Sequence, residues 1–223
     1  MTIRGVLLDA GGVLILPDAA RIRAALAELG SQPDDDVLAR CHYVAMRALD
    51  AVDGRDWVAG SPYLAAYARE LGLDASDVLH LFDASVTGSF WVHPITASIG
   101  ALRELERRRT PVVIVSNSGG EVSNELGLAG VCQVGPGGGV CVLRIIDSSV
   151  VGIRKPDPRI FHIALETLGM GPDEVIHIGD SVRFDVEGAR AAGIRPIHLD
   201  PFGLCELTDH EHMTSLDGVL ELL

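Results

Sequence analysis

The stretch VIHIGDSVRFDVEGARAAGIRPIHL, residues 175–199, predicts a strand, a helix and a second strand in direct succession. The apolar run Val175–Ile178, the helical segment Val182–Ala192 and the apolar run Ile194–Leu199 follow one another, with a glycine after each of the first two. Strands that are separated by a single helix pair in parallel, because the helix returns the chain to the same end of the sheet. The stretch therefore predicts one βαβ unit of a parallel sheet.

The same alternation of strands and helices continues outward from this unit. Further strands are predicted at Ile3–Leu8, Val112–Val115 and Leu143–Ile146. Further helices are predicted at Ala97–Arg109, Glu121–Leu126, Pro158–Leu168 and Leu216–Leu223. Repeated alternation of this kind predicts an α/β fold, with a Rossmann-like parallel sheet and helices on both of its faces.

A run of helical signals separates the first predicted strand from the second. The predicted helices of this run are Pro17–Leu29, Asp34–Asp50, Pro62–Leu71 and Ser76–Ser85. Because the first strand belongs to the sheet, we interpret the run as an insertion over it. We expect residues 1–16 and 92–223 to form the Rossmann-like core and residues 17–91 to form an all-helical cap domain.

The composition argues against several kinds of partner. The formal net charge is −13, whereas proteins that bind nucleic acid carry clustered Lys and Arg. The one basic run, Arg107–Arg109, lies at a predicted helix C-terminus, where it complements the helix dipole. No apolar run approaches the ~20 residues that span a bilayer, and scattered cysteines are typical of a reduced cytosolic chain. We expect a cytoplasmic monomer or small homo-oligomer that binds neither nucleic acid nor membranes.

Polar residues follow the predicted strands at the points where those strands end. Asp9 follows the first strand, the pair Ser116 and Asn117 follows the second, and Asp180 follows the fourth, with Asp185 one turn into the next helix. In open α/β sheets, ligands bind beyond the carboxyl ends of the strands. Each residue has a local alternative role, such as a turn, a helix cap or a solvated helix position. Their convergence on one edge of the sheet favours a shared site.

Lys155 is the only lysine of the chain, and it lies in the loop after the third predicted strand. Lysine presents a compact charge on a flexible stem, whereas arginine presents a planar fork. Pro156 disfavours helical backbone at Lys155, while Asp157 and Pro158 are typical of the start of a helix. Chance placement in an arginine-rich chain is the alternative interpretation. Together with the polar residues at the strand ends, the loop predicts an ammonium group at the same edge.

The chemistry of this convergence indicates phosphoryl transfer. Three carboxylates at one edge raise one another's pKa values unless cations lie among them. Lys155 supplies one positive charge, and Mg²⁺, which binds carboxylates, backbone carbonyls and water, would supply two more. In that setting Asp9 is a candidate nucleophile that attacks phosphorus and forms an aspartyl phosphate. The Ser116 hydroxyl and nearby backbone N–H groups would hold the oxygens of the transferring group.

Four segments, in order, resemble the motifs of the haloacid dehalogenase superfamily of hydrolases. They are Leu7–Leu14, Ile114–Asn117, Lys155–Pro158, and His177–Ser181 with Asp185. The resemblance covers nearly the whole chain and implies a Rossmann-like core, a helical cap and a small phosphorylated metabolite as substrate. It implies Asp9, Ser116 and Lys155 as catalytic residues, phosphate binding by Ser116, Asn117 and Lys155, and Mg²⁺ bound by Asp9, the Gly11 carbonyl, Asp180 and Asp185.

The chain departs from the phosphatases of this superfamily at Gly11, where they usually carry a second aspartate as general acid and base. A positioned acid contributes ~10²–10⁴-fold in rate. Three interpretations stay open. The first is a phosphatase whose acid comes from the cap or from water, or whose substrate has a good leaving group. The second is a dehalogenase-like hydrolase, and the third is a non-catalytic ligand-binding protein. Dehalogenases that resemble this family need no magnesium and lack the Gly179-Asp180-Ser181 arrangement, which favours the phosphatase.

Other residues are weaker candidates. Those of the cap and its return hinge that are placed to reach the site are His42, Tyr43, Arg47, Arg55, Trp57, Trp91 and His93, although packing is the more general role for each. His93 is the best replacement acid by position. The run Asp209-His210-Glu211-His212 resembles a metal-binding cluster. No third partner is predicted nearby, so we expect a solvated loop there. His177, inside an apolar strand, is predicted to be a hydrogen-bonded core residue.

Overall fold

A computed structural model describes residues 2–52, 61–76 and 90–223, and its centre is a six-stranded parallel sheet. The sheet has the strand order β10-β9-β8-β1-β4-β7, and each neighbouring pair runs in parallel. Within these residues the strands are β1 (Gly5–Leu8), β2 (Ile15–Leu16), β3 (His93–Pro94), β4 (Val112–Ser116), β5 (Cys132–Val134), β6 (Val140–Val142), β7 (Arg144–Asp147), β8 (Val175–Gly179), β9 (Arg195–Leu199) and β10 (Glu211–Met213). The predicted Rossmann-like α/β fold is confirmed.

Helices cover both faces of this sheet. The α-helices of the described residues are α1 (Ala19–Glu28), α2 (Asp35–Asp50), α3 (Pro62–Glu70), α4 (Thr96–Arg107), α5 (Val122–Leu128), α6 (Ser148–Val151), α7 (Pro158–Leu168) and α8 (Gly188–Ala191), and α4, α5, α7 and α8 are those that pack on the sheet faces. Side chains alternate across a strand, so Val6 and Leu8 of β1 pack into one buried cluster with α4 and α5. Leu7 packs into the opposite cluster with α7 and α8. This alternation fixes which face each helix covers.

The strand register brings the predicted site residues to one edge. Leu8 of β1 is paired with Ile114 of β4 and with Ile178 of β8. The residues that follow these positions therefore leave the sheet at the same level. Lys155 is delivered by the loop before α7, whose N-terminus forms as predicted, with the Asp157 carboxylate accepting a hydrogen bond from the Arg159 N–H at 3.0 Å.

The helix predicted at Val182–Ala192 is wrong in its geometry. The carbonyl of Ser181 accepts hydrogen bonds from the N–H groups of both Asp185 and Val186, each at 3.1 Å, so the first turn is widened into a π-helix over Val182–Glu187. Only Gly188–Ala191 is α-helical. Such π-turns often occur at functional sites, and here the widened turn carries Asp185 inward, where it is buried.

Other corrections concern short elements. The closing helix predicted at Leu216–Leu223 is a 3₁₀-helix over Leu216–Glu221. Strands β2 and β3 form an antiparallel pair, β5 and β6 form a parallel pair, and β10 extends the main sheet. None of these two- or three-residue strands was predicted, because so few residues cannot display a period of two. Most of the helix predicted at Ser76–Ser85 lies outside the described residues.

Helices α1, α2 and α3 form their own hydrophobic cluster over the sheet edge. Tyr63 and Tyr67 of α3 are among its largest fully buried side chains. The cluster is tied to the sheet by Asp50, at the end of α2, whose carboxylate accepts hydrogen bonds from the Ser181 hydroxyl at 2.5 Å and the Val182 N–H at 2.7 Å. We propose that these helices belong to the cap. Within the described ranges, no helix combines the length and apolar character that crossing a membrane requires.

Candidate active site

Three carboxylates converge beyond the carboxyl ends of β1 and β8. Asp9, Asp180 and Asp185 each present an oxygen, and these oxygens lie within 4.8 Å of one another. Asp180 and Asp185 are buried, at 5% and 1% exposure. The sequence-based expectation that they share one edge therefore agrees with their positions. A cluster of this kind requires nearby positive charge, since each carboxylate destabilises the ionised form of the others.

Lys155 places its ammonium group inside this cluster. Its Nζ lies 2.9 Å from Asp9 Oδ1 and 2.6 Å from Asp185 Oδ1, and the side chain is buried. The loop is fixed by Asn117, which donates a hydrogen bond to the Lys155 carbonyl at 3.0 Å and accepts one from the Lys155 N–H at 2.9 Å. The Asn117 side chain is thus occupied by the loop. These two bonds position Lys155, and Asn117 also lines the active-site cavity, so its expected role in phosphate binding stays a prediction.

The pKa values show how the charges are distributed. Burial raises the pKa of Asp9 to about 7, although Lys155 opposes the shift. Burial and the charge of Asp185 also raise the pKa of Asp180 well above its usual range. Burial acts the same way on Asp185, but Lys155 and His177 outweigh it and hold the pKa of Asp185 below its usual value. Lys155 thus compensates the charge of Asp185. Asp9 and Asp180, when they are ionised, leave the cluster with excess negative charge.

This residual charge fits a divalent cation. Mg²⁺ is bound by a few carboxylates, a backbone carbonyl and water, and Asp9 and Gly11 line the same cavity as Asp180 and Asp185. A metal ion would favour the ionised forms of Asp9 and Asp180, whose pKa values burial raises. The donor set consists of oxygens alone, as Mg²⁺ prefers.

Two glycines allow the close approach of these acids. A Cβ atom at Gly12 would lie 2.0 Å from Asp180 Oδ2 and 2.6 Å from His42 Nε2, and the residue has a φ of +67°. A Cβ atom at Gly179 would lie 2.1 Å from Cγ of Asp185. Only a residue without a side chain fits either position. Both glycines of the motifs therefore have a steric reason to stand beside the acids.

The cluster forms the floor of a cavity of about 530 Å³. Ser116, Asn117 and Lys155 lie in its lining with the three acids, and so do Arg154 and Trp91. The indole of Trp91 stands beside Gly11, where an added Cβ atom would lie 3.4 Å from the Trp91 ring. The cavity is of a size that accommodates a small metabolite.

A histidine of α2 contacts one of the candidate metal ligands directly. His42 Nε2 lies 2.8 Å from Asp180 Oδ2, and His42 Nδ1 lies 2.9 Å from the Tyr63 hydroxyl. Burial lowers the pKa of His42 to about 3, so its ring is neutral. The Tyr63 hydroxyl then donates to Nδ1, and the Nε2–H donates to Asp180. Tyr63 was not singled out in the sequence, since its helical pattern indicates packing alone.

The other candidates from the predicted cap and hinge lie in different parts of the structure. The Tyr43 hydroxyl donates to the Gly12 carbonyl at 2.6 Å, and Arg47 lines a second cavity, next to Asp50. Arg55 and Trp57 lie outside the described residues. His93 belongs to β3 and is not among the described residues that line the active-site cavity, so its expected role as a replacement acid loses its basis.

Two other histidine predictions are settled by the structure. His177 is fully buried, and its Nε2 lies 2.8 Å from Asp185 Oδ1, so it is the hydrogen-bonded core residue that was expected. The loop predicted for Asp209–His212 is wrong at Glu211 and His212, which lie in β10, whereas Asp209, Glu211 and His212 are solvent-exposed as expected. His210 and His212 lie beside His198 and Cys205, with one ligand atom from each of these four residues within 4.8 Å of the others.

The sequence profile of haloacid dehalogenase-like hydrolases matches residues 3–193. The chain belongs to this family. One curated relative is a phosphoserine phosphatase of Thermus thermophilus, which is 35% identical to this chain over 99 residues. These residues are 44% of this chain and 37% of the relative. A second, Phosphatase MT3486 of Mycobacterium tuberculosis, is 30% identical over 72% of the chain and 70% of its own length.

Solved structures show the same fold across nearly the whole chain. A putative HAD-hydrolase of Bacillus subtilis bound to magnesium has a TM-score of 0.63 and 17% identity, and covers 100% of this chain and 99% of its own. A 2-haloacid dehalogenase of Pseudomonas syringae has a TM-score of 0.59 and 22% identity, with 99% and 98% covered. The first curated match spans only about a third of that relative's length, at 37%.

Proposed function

We propose that this protein is a Mg²⁺-dependent phosphohydrolase that acts on a small phosphorylated metabolite through an aspartyl phosphate on Asp9. The observation that carries the proposal is the position of Lys155 Nζ, which lies 2.9 Å from Asp9 and 2.6 Å from Asp185 inside an acid cluster. A carboxylate that must receive a phosphoryl group needs cations around it, because the incoming group is itself an anion. Phosphatases among the curated relatives support the same reaction class.

Asp9 is oriented for attack by its own surroundings. Its Oδ1 accepts a hydrogen bond from the Ala10 N–H at 2.7 Å and lies 2.9 Å from Lys155 Nζ. Attack on phosphorus forms the Asp9–phosphorus bond while the bond to the leaving-group oxygen breaks. Water then attacks the same phosphorus, which frees the Asp9 carboxylate and releases inorganic phosphate.

The other residues of the site hold the charges in place. Mg²⁺, bound by Asp9, the Gly11 carbonyl, Asp180 and Asp185, would neutralise the phosphoryl oxygens. Ser116 and Lys155 line the cavity where those oxygens would lie. Asn117 holds the Lys155 loop through two hydrogen bonds. The scattered cysteines support a cytosolic protein, and its oligomeric state stays the expectation of a monomer or small homo-oligomer.

The absence of an acidic side chain at Gly11 determines which substrates are expected. His42, although close by, is neutral and hydrogen-bonded at both ring nitrogens, so it is poorly suited to donate a proton to a leaving group. Trp91 occupies the space beside Gly11 and carries no acid. Substrates whose leaving groups need no proton, such as aryl or acyl phosphates, should therefore react fastest.

This expectation is measured by the dependence of kcat/KM on leaving-group pKa. Aryl phosphates are expected to react ~10²–10⁴-fold faster than alkyl phosphates, which is the contribution of a missing acid. In Gly11→Asp the atoms nearest to the added Cβ belong to the Trp91 ring, the first at 3.4 Å, and this variant should flatten the dependence. A flat dependence in the wild-type protein would mean that an acid acts from elsewhere.

The proposed reaction is tested with Asp9→Asn, which removes one carboxylate oxygen as a nucleophile and keeps the shape. Turnover of p-nitrophenyl phosphate should fall by roughly 10⁴-fold or more. The fold should be at least as stable as before, since burial disfavours the ionised carboxylate it replaces. Asp36→Asn, an exposed change in the first turn of α2, is the matched control and should leave turnover unchanged.

A carbon-centred hydrolase is the second candidate, because a halide leaving group needs no acid at Gly11. It is distinguished by assaying p-nitrophenyl phosphate with and without Mg²⁺, and 2-chloropropionate without metal. Mg²⁺-dependent release of phosphate supports the phosphatase. Release of chloride without metal would support the alternative. Tight ligand binding without either reaction would indicate a binding protein on the same fold.

A further inference from the structure

A second cluster of potential metal ligands lies on the last two strands of the sheet, β9 and β10, apart from the three acids. His198 is in β9, His212 is in β10, and Cys205 and His210 are in the segment between these strands. His198 and His212 are paired in the register of β9 and β10. One ligand atom from each of the four residues lies within 4.8 Å of the others.

Two ring nitrogens of this cluster lie close together between the rings of His198 and His210. His198 Nε2 lies 3.2 Å from the Asp180 carbonyl oxygen, which can only accept, so the proton of a neutral ring is on Nε2. His210 Nδ1 lies 2.8 Å from Asp209 Oδ1, which in a neutral ring favours the proton on Nδ1. The remaining nitrogens, His198 Nδ1 and His210 Nε2, are 3.2 Å apart. In neutral rings both are acceptors, which repel each other at this distance unless a proton or a metal ion lies between them.

The spacing of the donors is close to that in the coordination shell of zinc. With Zn–N and Zn–S bonds of about 2.0 and 2.3 Å, neighbouring ligand atoms of a tetrahedral site are about 3.3 Å apart for two nitrogens and about 3.5 Å apart for a nitrogen and a sulfur. The two nitrogens are 3.2 Å apart, and Cys205 Sγ lies 3.9 Å from His210 Nε2. Small shifts of these side chains would accommodate the ion.

Outer contacts hold the ligands as they do in metal sites. Metal-binding histidines usually donate their second N–H to a carboxylate or a backbone carbonyl, and His210 and His198 do so to Asp209 and Asp180 respectively. The Asp200 carboxylate accepts hydrogen bonds from the N–H groups of Leu204 at 2.9 Å and Cys205 at 2.8 Å, which orients the turn that carries the thiol.

His212 is the adjustable member of the cluster. Its ring is stacked on that of His210, with centroids 4.6 Å apart and planes 14° from parallel. Lone pairs in two parallel rings do not converge on one ion, so His212 must tilt out of the stack to bind. Its side chain is 29% exposed, which leaves room for that movement.

We propose that His198, Cys205 and His210 bind a Zn²⁺ ion, with His212 as the fourth ligand. Thiolate and imidazole donors select zinc-like metals over Mg²⁺, which prefers oxygen. Binding would release the Cys205 thiol proton to solvent and form the sulfur–zinc bond. The ion would also fix His198 in the tautomer that donates to the Asp180 carbonyl.

The test uses the full chain, freed of any affinity tag and treated with a chelator. Zn²⁺ is titrated in the presence of excess Mg²⁺, which occupies the oxygen donors of Asp9, Asp180 and Asp185. Co²⁺ is titrated separately, because a thiolate-to-cobalt charge-transfer band reports a sulfur ligand directly. The variants are Cys205→Ser and His210→Gln, with Cys141→Ser as the matched control, since Cys141 is an exposed thiol on β6.

The wild-type chain and Cys141→Ser should bind one Zn²⁺ per chain with sub-micromolar Kd, show the cobalt band, and melt at higher temperature with Zn²⁺ than without it. Loss of an outer partner costs about 10–100-fold in affinity, so loss of a direct ligand should cost at least ~100-fold. Cys205→Ser should also lose the cobalt band. Zn²⁺ affinity unchanged in both Cys205→Ser and His210→Gln, or a folded wild-type chain that binds no Zn²⁺, would overturn the proposal.

Discussion

The two side-chain clusters of this protein lie on neighbouring strands yet offer opposite chemistry. The acid cluster follows β1 and β8 and consists of oxygen donors around Lys155. The other cluster lies on β9, β10 and the segment between them, and consists of imidazoles and a thiol. They are joined by one residue, because the Asp180 side chain faces the first cluster while its carbonyl accepts from His198 of the second. Neighbouring strands of one sheet thus carry two groups of potential metal ligands with different donor atoms.

The largest expected effect is that of replacing Lys155, which belongs to the acid cluster alone. Replacing Lys155 by methionine leaves Asp9 and Asp185 buried without their ammonium partner, and removal of one partner of a buried pair costs about 3–5 kcal/mol. Phosphatase activity should fall by about 10³-fold as well. Chemical denaturation and p-nitrophenyl phosphate turnover measure the two effects.

Arg154→Met is the matched control for that change. Arg154 also lines the cavity but is exposed, so its loss should change the unfolding free energy by no more than about 0.5 kcal/mol. Equal destabilisation by the two variants would contradict a special role for Lys155. Zn²⁺ affinity should be the same in both variants if the clusters are independent.

A smaller effect is expected at Gly12. In Gly12→Ala the new Cβ meets Asp180 Oδ2 at 2.0 Å and the backbone keeps a φ of +67°. The positive φ alone costs about 1–2 kcal/mol, and displacement of Asp180 should weaken Mg²⁺ binding in addition. Gly30→Ala has a similar φ of +75° but no atom within 4 Å of the new Cβ. If Gly30→Ala weakened Mg²⁺ binding as much as Gly12→Ala, the steric explanation would be wrong.

The contrast between the clusters also shows what the sequence could predict. Asp9, Ser116 and Asp180 follow apolar runs long enough to be recognised as strands, and parallel pairing then requires their convergence. The second cluster depends on β10, whose three residues Glu211–Met213 carry no recognisable period. Without that strand His212 had no predicted partner, although it lies opposite His198 in the sheet.

The sequence pattern also did not predict which side chains of α1, α2 and α3 contact the residues around the sheet. The helical spacing of α2 predicts a helix but not that His42 reaches Asp180. The π-turn that buries Asp185 forms because the Ser181 carbonyl accepts two hydrogen bonds. No residue type in the sequence predicts this pair of bonds. Similarly, the position of Asn117 after a strand did not predict that its amide makes two hydrogen bonds to the backbone of Lys155. Each of these features depends on the packing of elements distant in sequence.

The most direct test of the central claim is the number of protons released when Mg²⁺ binds. Since burial raises the pKa of Asp9 to about 7 and also raises the pKa of Asp180 above its usual range, we expect the metal-free cluster to hold protons at about pH 6. Calorimetric titration of Mg²⁺ in buffers of different ionisation enthalpy should therefore show proton release that diminishes as the pH rises above 7. Asp180→Asn should release fewer protons and bind Mg²⁺ more weakly. Mg²⁺ binding that releases no protons at about pH 6, or that is unaffected by Asp180→Asn, would contradict the account.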